Sequence, residues 1–128
     1  MSDTDERSLY DRIGGKEAVA GLLVAFYGRV LDDPELRPFF ENVPLDKLRA
    51  MQAEFFSAAL DGPIRYRGRP ISAVHAGLGI QPRHVRRFLE HLLETLEGTG
   101  LSEQDRYDTY SRIAIRADEV TGITSVDG

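Results

Sequence analysis

The sequence predicts a single all-α domain for this chain of 128 residues. Apolar residues recur at every third or fourth position in four long stretches, which is the pattern of amphipathic helices. Connectors containing glycine or proline separate these stretches, and nowhere do apolar and polar residues alternate long enough to predict a β-strand. A chain of this length forms one domain and buries about two-thirds of the surface that its unfolded form exposes.

The first half of the chain is predicted to hold two of the helices. Residues 1–7 form a polar, charge-rich tail that we expect to be disordered. A short apolar turn then ends at Gly14 and Gly15, because glycine lets the chain reorient without backbone strain. The next apolar residues predict a helix over residues 16–31, which stops ahead of Pro34 since the residue before a proline avoids helical backbone.

The middle of the chain contains a second helix and a long loop. A short turn over residues 35–40 leads to the helix, which is predicted over residues 45–60. Periodicity disappears over residues 61–71, a segment rich in glycine, proline and arginine, and we interpret it as an ordered loop. A short helical turn is expected over residues 72–77.

Two further helices are predicted in the second half. Pro82 begins the first, since proline is tolerated at the first helical position, and Gly98-Thr99-Gly100 ends it. Ser102 is a candidate cap for the last helix, which is expected to end near Thr121. The predicted division of the chain is a tail of residues 1–7, one domain of residues 8–122 and a tail of residues 123–128.

Composition and charge argue against several classes of protein. The net charge of −5 provides no attraction to nucleic acid or to an anionic membrane. No apolar stretch approaches the roughly 20 residues that cross a bilayer. The acidic N-terminus is unlike a signal peptide. The default expectation is a cytoplasmic protein.

The chain contains no cysteine, which excludes disulfides, thiolate nucleophiles and cysteine metal ligands. Carboxylates and three histidines remain as candidate metal ligands. His84 and His91 lie too far apart along one helix for a single tight metal site, so we assign them no ligand role. His75 follows a break rich in glycine and proline and is the remaining histidine candidate.

Three residues are candidates for a binding site, and each also has an ordinary structural interpretation. His75 is either a structural or exposed histidine or a haem ligand, because a single histidine commonly holds haem iron in oxygen-binding proteins. Gln52 interrupts an apolar helix face and either points to solvent or donates within a cavity, since burying an unpaired amide costs roughly 1–3 kcal/mol. Tyr27 is either part of the core or a phenolic donor to the same ligand.

Aromatic residues are concentrated near these candidates. Phe39, Phe40, Phe55 and Phe56 stand in two adjacent pairs and are either core or a surface suited to stacking on a porphyrin. A solvated loop is expected to carry three arginines, one of which could pair with haem propionates: Arg65, Arg67 and Arg69.

The chain resembles the truncated haemoglobins, and most of all their first group, which has mycobacterial and cyanobacterial members. The resemblance covers about residues 8–122 and is carried, in the family's order and spacing, by LYDRIGGKEAV, AFYGRVLDDPELRPFF, QAEFFSAALDGP and VHAGLGI. It implies a two-over-two helical sandwich around a non-covalently bound haem b (iron protoporphyrin IX).

The same resemblance assigns expected roles to individual residues. His75 matches the proximal iron ligand, Tyr27 matches the distal tyrosine that hydrogen-bonds O₂, and Gln52 matches its distal partner. Leu48 stands where longer globins usually carry the distal histidine, and Phe56 stands at the mouth of an apolar ligand tunnel. The haem pocket is therefore expected to comprise Phe40, Leu48, Phe55, Phe56 and His75.

Two positions bear on how closely the chain follows the family. The second glycine pair of the family is Asp61-Gly62 here, and we expect a local change of loop geometry. Met51 stands where some cyanobacterial relatives carry a second histidine ligand, so an open or water-bound sixth iron position is expected.

The implied function is reversible binding of O₂, NO and CO at a His75-ligated iron, with the oxy form converting NO to nitrate. An external reductase would supply the electron, because the chain has no room for a flavin domain. The alternative is an oxygen or NO sensor, store or transport protein without turnover, and a haem-free helical interaction protein is a third hypothesis. The sequence leaves the oligomeric state open.

Overall fold

The computed structural model describes residues 7–63 and 79–121, except for the side chains of residues 118–121. All regular structure within these ranges is helical, which confirms the all-α prediction. No helix in this part of the chain is long and apolar enough to cross a membrane. The elements are α1 (Leu9–Arg12), α2 (Gly15–Asp32), a 3₁₀ turn (Arg37–Phe40), α3 (Leu45–Ala59), α4 (Pro82–Glu97) and α5 (Glu103–Thr121).

Several sequence predictions fall outside the described residues. They concern most of the N-terminal tail, the C-terminal tail, most of the loop after α3 and the short helical turn that follows that loop. His75 and the three loop arginines, Arg65, Arg67 and Arg69, lie in that segment and therefore stay predictions.

The predicted glycine pair makes the corner between α1 and α2. Gly14 and Gly15 have φ angles of 119° and 73°, which side chains rarely adopt. A Cβ atom on Gly14 would also lie 2.6 Å from the Cβ of Ala18. The corner therefore needs glycine for its backbone angles and, at Gly14, for space.

Helix α3 is followed by a turn at Asp61-Gly62, where the expected change of loop geometry stays a prediction. Asp61 has a φ of 63°, and asparagine and aspartate tolerate this left-handed region better than most residues. Gly62 follows it closely packed, because a Cβ there would lie 2.6 Å from the ring of Tyr10 in α1. The backbone N–H of Tyr10 donates to the carbonyl of Leu60 at 3.0 Å, so α1 is fixed to the end of α3.

The two C-terminal helices begin as the sequence predicts. The imidazole Nδ1 of His84 accepts from the backbone N–H of Gln81 at 2.9 Å and caps α4, whose first residue is Pro82. The hydroxyl of Ser102 accepts from the backbone N–H of Asp105 at 3.1 Å and caps α5.

The core lies where α2 packs between α3 and α4, while α5 packs on α4 and also contacts α1 and α3. Its completely buried side chains come from every long helix and include Phe26, Val30, Phe56, Leu60, Leu92 and Leu96. This arrangement puts aromatic residues of α2, α3 and α4 next to one another, and those residues form the candidate site.

Candidate functional site

Tyr27 lies at the centre of a group of aromatic rings from four elements. Its ring centroid is 5.8 Å from that of Phe40 in the 3₁₀ turn and 6.2 Å from that of Phe88 in α4. Both contacts are edge-to-face, the arrangement that aromatic quadrupoles favour. The ring of Tyr27 is thus held from two sides by elements other than its own helix.

The group continues from Phe26 into α3. Phe26 packs on Phe88 at 4.8 Å and on Phe56 at 6.3 Å, and Phe56 contacts Phe55 at 6.0 Å. We call the six rings the aromatic wall: Phe26, Tyr27, Phe40, Phe55, Phe56 and Phe88. Phe26 and Phe56 are completely buried, whereas Phe40, Phe55 and Phe88 are half-buried and form its outer part.

The phenol of Tyr27 keeps its proton at neutral pH. Only 7% of the residue is exposed, and burial raises its pKa above the ordinary value of 10.0 because a phenolate would be poorly solvated there. Tyr27 therefore remains a hydrogen-bond donor over the whole physiological pH range.

Helix α3 presents the other predicted distal residues on one face. Leu48 is buried, Gln52 is half-buried one turn later, and Phe55 and Phe56 follow after another turn. Met51 is also half-buried. Gln52 therefore shares a helix face with the aromatic wall, which argues against an amide that points fully into solvent.

The residues of the wall fit a flat apolar group such as a porphyrin. Three large rings, Phe40, Phe55 and Phe88, stay half-buried at the edge of the core although such rings are usually buried in a closed core. Within residues 7–63 and 79–121, no group of three or more histidine, aspartate or glutamate side chains is arranged to hold a metal ion. The half-buried rings and the lack of such a group are both compatible with an iron ligand from outside these residues, as predicted for His75.

A second cluster of interest lies at the C-terminal end of α2 and was not predicted. The carboxylate of Asp33 is 2% exposed and accepts hydrogen bonds from Nε2 of His91, at 2.7 Å, and from Nε of Arg87. Its other oxygen accepts from the backbone N–H of Glu35 at 2.9 Å. Because an ionised carboxylate only accepts, Nε2 of His91 carries a hydrogen. We call Asp33, Glu35, Arg87 and His91 the Asp33 junction.

The charge of Asp33 is stabilised by these neighbours. Burial alone would raise the pKa of the carboxyl, but hydrogen bonds from His91, Glu35 and Arg87, together with the charge of Arg87, lower it from 3.8 to about 2. Asp33 is therefore a buried carboxylate with compensated charge, and it joins α2 to α4.

Two of the cavities that described residues line are of interest, and neither is lined by Tyr27 or Gln52. The first, of about 280 Å³, is lined almost wholly by apolar groups of Ile13, Ala18, Leu22, Thr99, Gly100 and Leu101. The second, of about 320 Å³, is an open polar groove beside the Asp33 junction.

The structure thus brings together part of the predicted site. Tyr27, Phe40, Phe55 and Phe56 belong to one ring network, and Leu48 and Gln52 lie on the same face of α3. Sequence reasoning counted Phe88 only as core. It also assigned His91 no ligand role and interpreted Asp33 as part of a helix stop. A signal for Asp33 was available, since aspartate after a helix often accepts from a backbone N–H two residues on.

Comparison with known proteins identifies the family. The model of the family described as "Bacterial-like globin" matches residues 8–121. The group 1 truncated haemoglobin GlbN of Mycolicibacterium paratuberculosis is 40% identical over 113 residues, which are 88% of this chain and 83% of that protein. The group 1 truncated haemoglobin of Tetrahymena pyriformis is 30% identical over 76% of this chain and 80% of its own length.

Solved structures agree with this assignment. Truncated haemoglobin from Tetrahymena pyriformis in the Fe(III) form has a TM-score of 0.82 at 26% identity and covers 89% of this chain and 97% of its own. The 2/2 haemoglobin from Synechococcus sp. PCC 7002, in the cyanomet state with covalently attached haem, has a TM-score of 0.83 at 28% identity, covering 89% and 98%. The chain belongs to the bacterial-like globin family as a group 1 truncated haemoglobin with the two-over-two fold, and this membership implies haem-based binding of gaseous ligands such as O₂.

Proposed function

We propose that the protein binds haem b non-covalently, with His75 as the iron ligand and Tyr27 and Gln52 as hydrogen-bond donors to a bound gas. In this proposal the haem-loaded protein would use bound O₂ to convert NO to nitrate. The observation that carries the proposal is the buried, protonated phenol of Tyr27, which Phe40 and Phe88 hold from two sides.

The residues proposed to hold the haem are Phe40, Leu48, Phe55, Phe56 and His75. The haem would supply the iron at which O₂, NO or CO binds. Non-covalent attachment is supported by the chain's own chemistry, since it has no cysteine and only three histidines. His84 accepts a hydrogen bond at the start of α4 and His91 bonds to Asp33, so both have structural partners.

Tyr27 and Gln52 are proposed to retain the bound gas by hydrogen bonding. A diatomic ligand that carries partial negative charge accepts from a phenol or an amide, and each hydrogen bond of this kind stabilises it by about 1.5–3 kcal/mol when water is excluded. The raised pKa of Tyr27 keeps its donor hydrogen in place. The resulting slow release suits a protein that consumes its oxygen better than one that delivers it.

The proposed reaction is NO plus O₂ plus one electron giving nitrate. The electron has to come from outside the chain, and an external reductase is therefore part of the proposal. A cytoplasmic location and a globin domain over residues 8–122 stay predictions.

The experiment that tests the proposal compares the haem-loaded wild type with Tyr27→Phe. The O₂ dissociation rate should rise by at least about tenfold in Tyr27→Phe, as expected for the loss of a hydrogen bond worth about 1.5 kcal/mol or more. Tyr107→Phe is the matched control, since this tyrosine is 66% exposed and should change nothing. An unchanged dissociation rate in Tyr27→Phe would contradict the role of the phenol.

Turnover is tested separately from binding. Steady consumption of NO by the oxy form, in the presence of a flavin reductase and with nitrate as the product, would support the dioxygenase. A single stoichiometric burst without further turnover would favour the alternative of a sensor or store. A second variant, His75→Ala, should lose the absorption spectrum of a histidine-ligated haem.

A further inference from the structure

We infer that Asp33 is a positioning residue for the Tyr27 phenol and acts through Phe40 and Phe88, the two rings that hold Tyr27 from outside α2. The inference rests on the proposed function of Tyr27 as a hydrogen-bond donor to the bound gas. It assigns a role in ligand retention to the buried carboxylate of an ion-pair cluster at the end of α2.

The turn after α2 is the first structural link between Asp33 and Tyr27. One carboxylate oxygen of Asp33 accepts from the N–H of Glu35 at 2.9 Å, and its backbone carbonyl accepts from the N–H of Arg37 at 2.8 Å. These bonds set the path of the chain into the 3₁₀ turn Arg37–Phe40, whose last residue meets the ring of Tyr27. The position of Phe40 therefore depends on the conformation that Asp33 holds.

Helix α4 is the second structural link between Asp33 and Tyr27. The other carboxylate oxygen of Asp33 accepts from His91 at 2.7 Å and from Arg87, and Phe88 lies between these two donors along the helix. The ring of Phe88 is 6.2 Å from that of Tyr27. The position of Phe88 against Tyr27 therefore depends on the same carboxylate.

Phe40 and Phe88, the two rings outside α2 that contact Tyr27, therefore both depend on the side chain of Asp33. A hydrogen bond from a phenol is directional and weakens steeply when its angle becomes unfavourable. A small rotation of the ring would cost much of the bond while the hydrophobic core stays intact. Disturbing Asp33 should therefore change ligand retention without unfolding the protein.

The polar groove beside Asp33 offers no competing explanation as a binding site. Its two arginines pair with carboxylates of the same groove: Arg29 with Glu94 at 3.7 Å, and Arg87 with Asp33. Both arginines of the groove have carboxylate partners, and Asp32 gives its lining one more carboxylate than arginines, so no unpaired cation is left there to hold an anionic ligand. The cluster is better explained by the helices that it joins.

The test uses the haem-loaded protein and Asp33→Asn. Asparagine keeps an oxygen for the N–H of Glu35 but removes the negative charge that faces Arg87 and His91. Asp32→Asn is the matched control, because it makes the same chemical change at the exposed neighbouring position. The readouts are the O₂ dissociation rate and the infrared C–O stretching band of the ferrous CO complex, which reports hydrogen bonding to the bound ligand.

For Asp33→Asn we expect O₂ release to be faster by about three- to tenfold, since the hydrogen bond is weakened and not removed. A second C–O band should appear at the position that Tyr27→Phe gives. In the Tyr27→Phe background, Asp33→Asn should have no further effect on either readout, because the two residues act on one bond. Asp32→Asn should resemble the wild type.

The outcomes separate the two proposals. If Tyr27→Phe shifts both readouts but Asp33→Asn shifts neither, the inference about Asp33 is overturned and the role of Tyr27 stands. If Tyr27→Phe shifts neither, the proposed function fails and the inference fails with it. If Asp33→Asn does not retain haem, His91→Leu decides by the same readouts, since Arg87 still neutralises Asp33 in that variant. A purely structural role would give additive effects in the double variant and would also overturn the inference.

Discussion

The ring of Phe40 meets the ring of Tyr27 almost at a right angle, with an interplanar angle of 85° and a centroid separation of 5.8 Å. Phe39, its neighbour in the same 3₁₀ turn, makes its ring contact elsewhere, with His84 at 4.8 Å. Two adjacent phenylalanines therefore face different partners, and only the contact of Phe40 bears on the proposed distal donor.

Replacing Phe40 by leucine should loosen the ring of Tyr27. We expect O₂ release to be faster by about two- to fivefold, because an edge-to-face pair is worth about 0.5–1.5 kcal/mol beyond its buried area. Stopped-flow measurement of O₂ dissociation checks this. Phe39→Leu is the matched control and should leave the O₂ dissociation rate near the wild-type value. An equal effect of both variants would contradict the idea that only the contact of Phe40 bears on Tyr27.

Replacing Phe26 by alanine should destabilise the protein more than any change in the outer part of the aromatic wall. Phe26 is completely buried and contacts Phe56 and Phe88, so its loss leaves a cavity costing about 3–5 kcal/mol of unfolding free energy. Urea denaturation followed by circular dichroism measures it. Val24→Ala, at a position 59% exposed, should cost well under 1 kcal/mol.

Glycine-to-alanine changes should have opposite signs at two positions. At Gly62 a Cβ would lie 2.6 Å from the ring of Tyr10, so Gly62→Ala should lower the unfolding free energy by about 1–3 kcal/mol. At Gly28, inside α2, a Cβ would meet nothing within 4 Å, and Gly28→Ala should raise it by about 0.5–1 kcal/mol. Thermal unfolding of both variants tests this. A change of melting temperature with the same sign in Gly62→Ala and Gly28→Ala would contradict the close packing at Gly62.

Acid should remove the stabilisation that Asp33 provides. The folded pKa of this carboxyl, about 2, lies below the ordinary 3.8, so the unfolded chain binds the proton more readily than the folded one. The contribution is complete above about pH 4 and is lost as the pH falls towards about 2. Denaturant unfolding measured across this range should show a shallower pH dependence for Asp33→Asn than for the wild type. Asp32→Asn should keep a pH dependence closer to that of the wild type. If the unfolding free energy depends on pH identically in all three proteins, the stabilising role of the Asp33 carboxylate is contradicted.

Local sequence signals predicted most of the helices well. Gly14-Gly15, Pro34, Pro82 and Ser102 each act over a few residues, and each marks a helix end where the structure has one. Such features are readable since their causes lie in neighbouring residues.

The candidate site was predicted only in part. The resemblance supplied Tyr27, Gln52 and the phenylalanines, and the structure joins Tyr27 to Phe40, Phe55 and Phe56 through ring contacts. Phe88 and the Asp33 junction were missed because they depend on contacts between residues far apart in the chain. Periodicity alone gives Phe88 the same meaning as any other apolar residue of its stripe.

The Asp33 junction has a consequence for the order in which the molecule assembles. The hydrogen bonds that Asp33 accepts from Glu35 and Arg37 join residues within one turn of the chain. The hydrogen bonds that it accepts from Arg87 and His91 form only after the long chain segment between these residues has brought α4 to α2. We expect the turn to form early in folding and the bonds to α4 late. Removing the donor at His91 should then mainly accelerate unfolding, and the apposition of Phe88 to Tyr27 would be among the last features of the native state to form and the first to be lost.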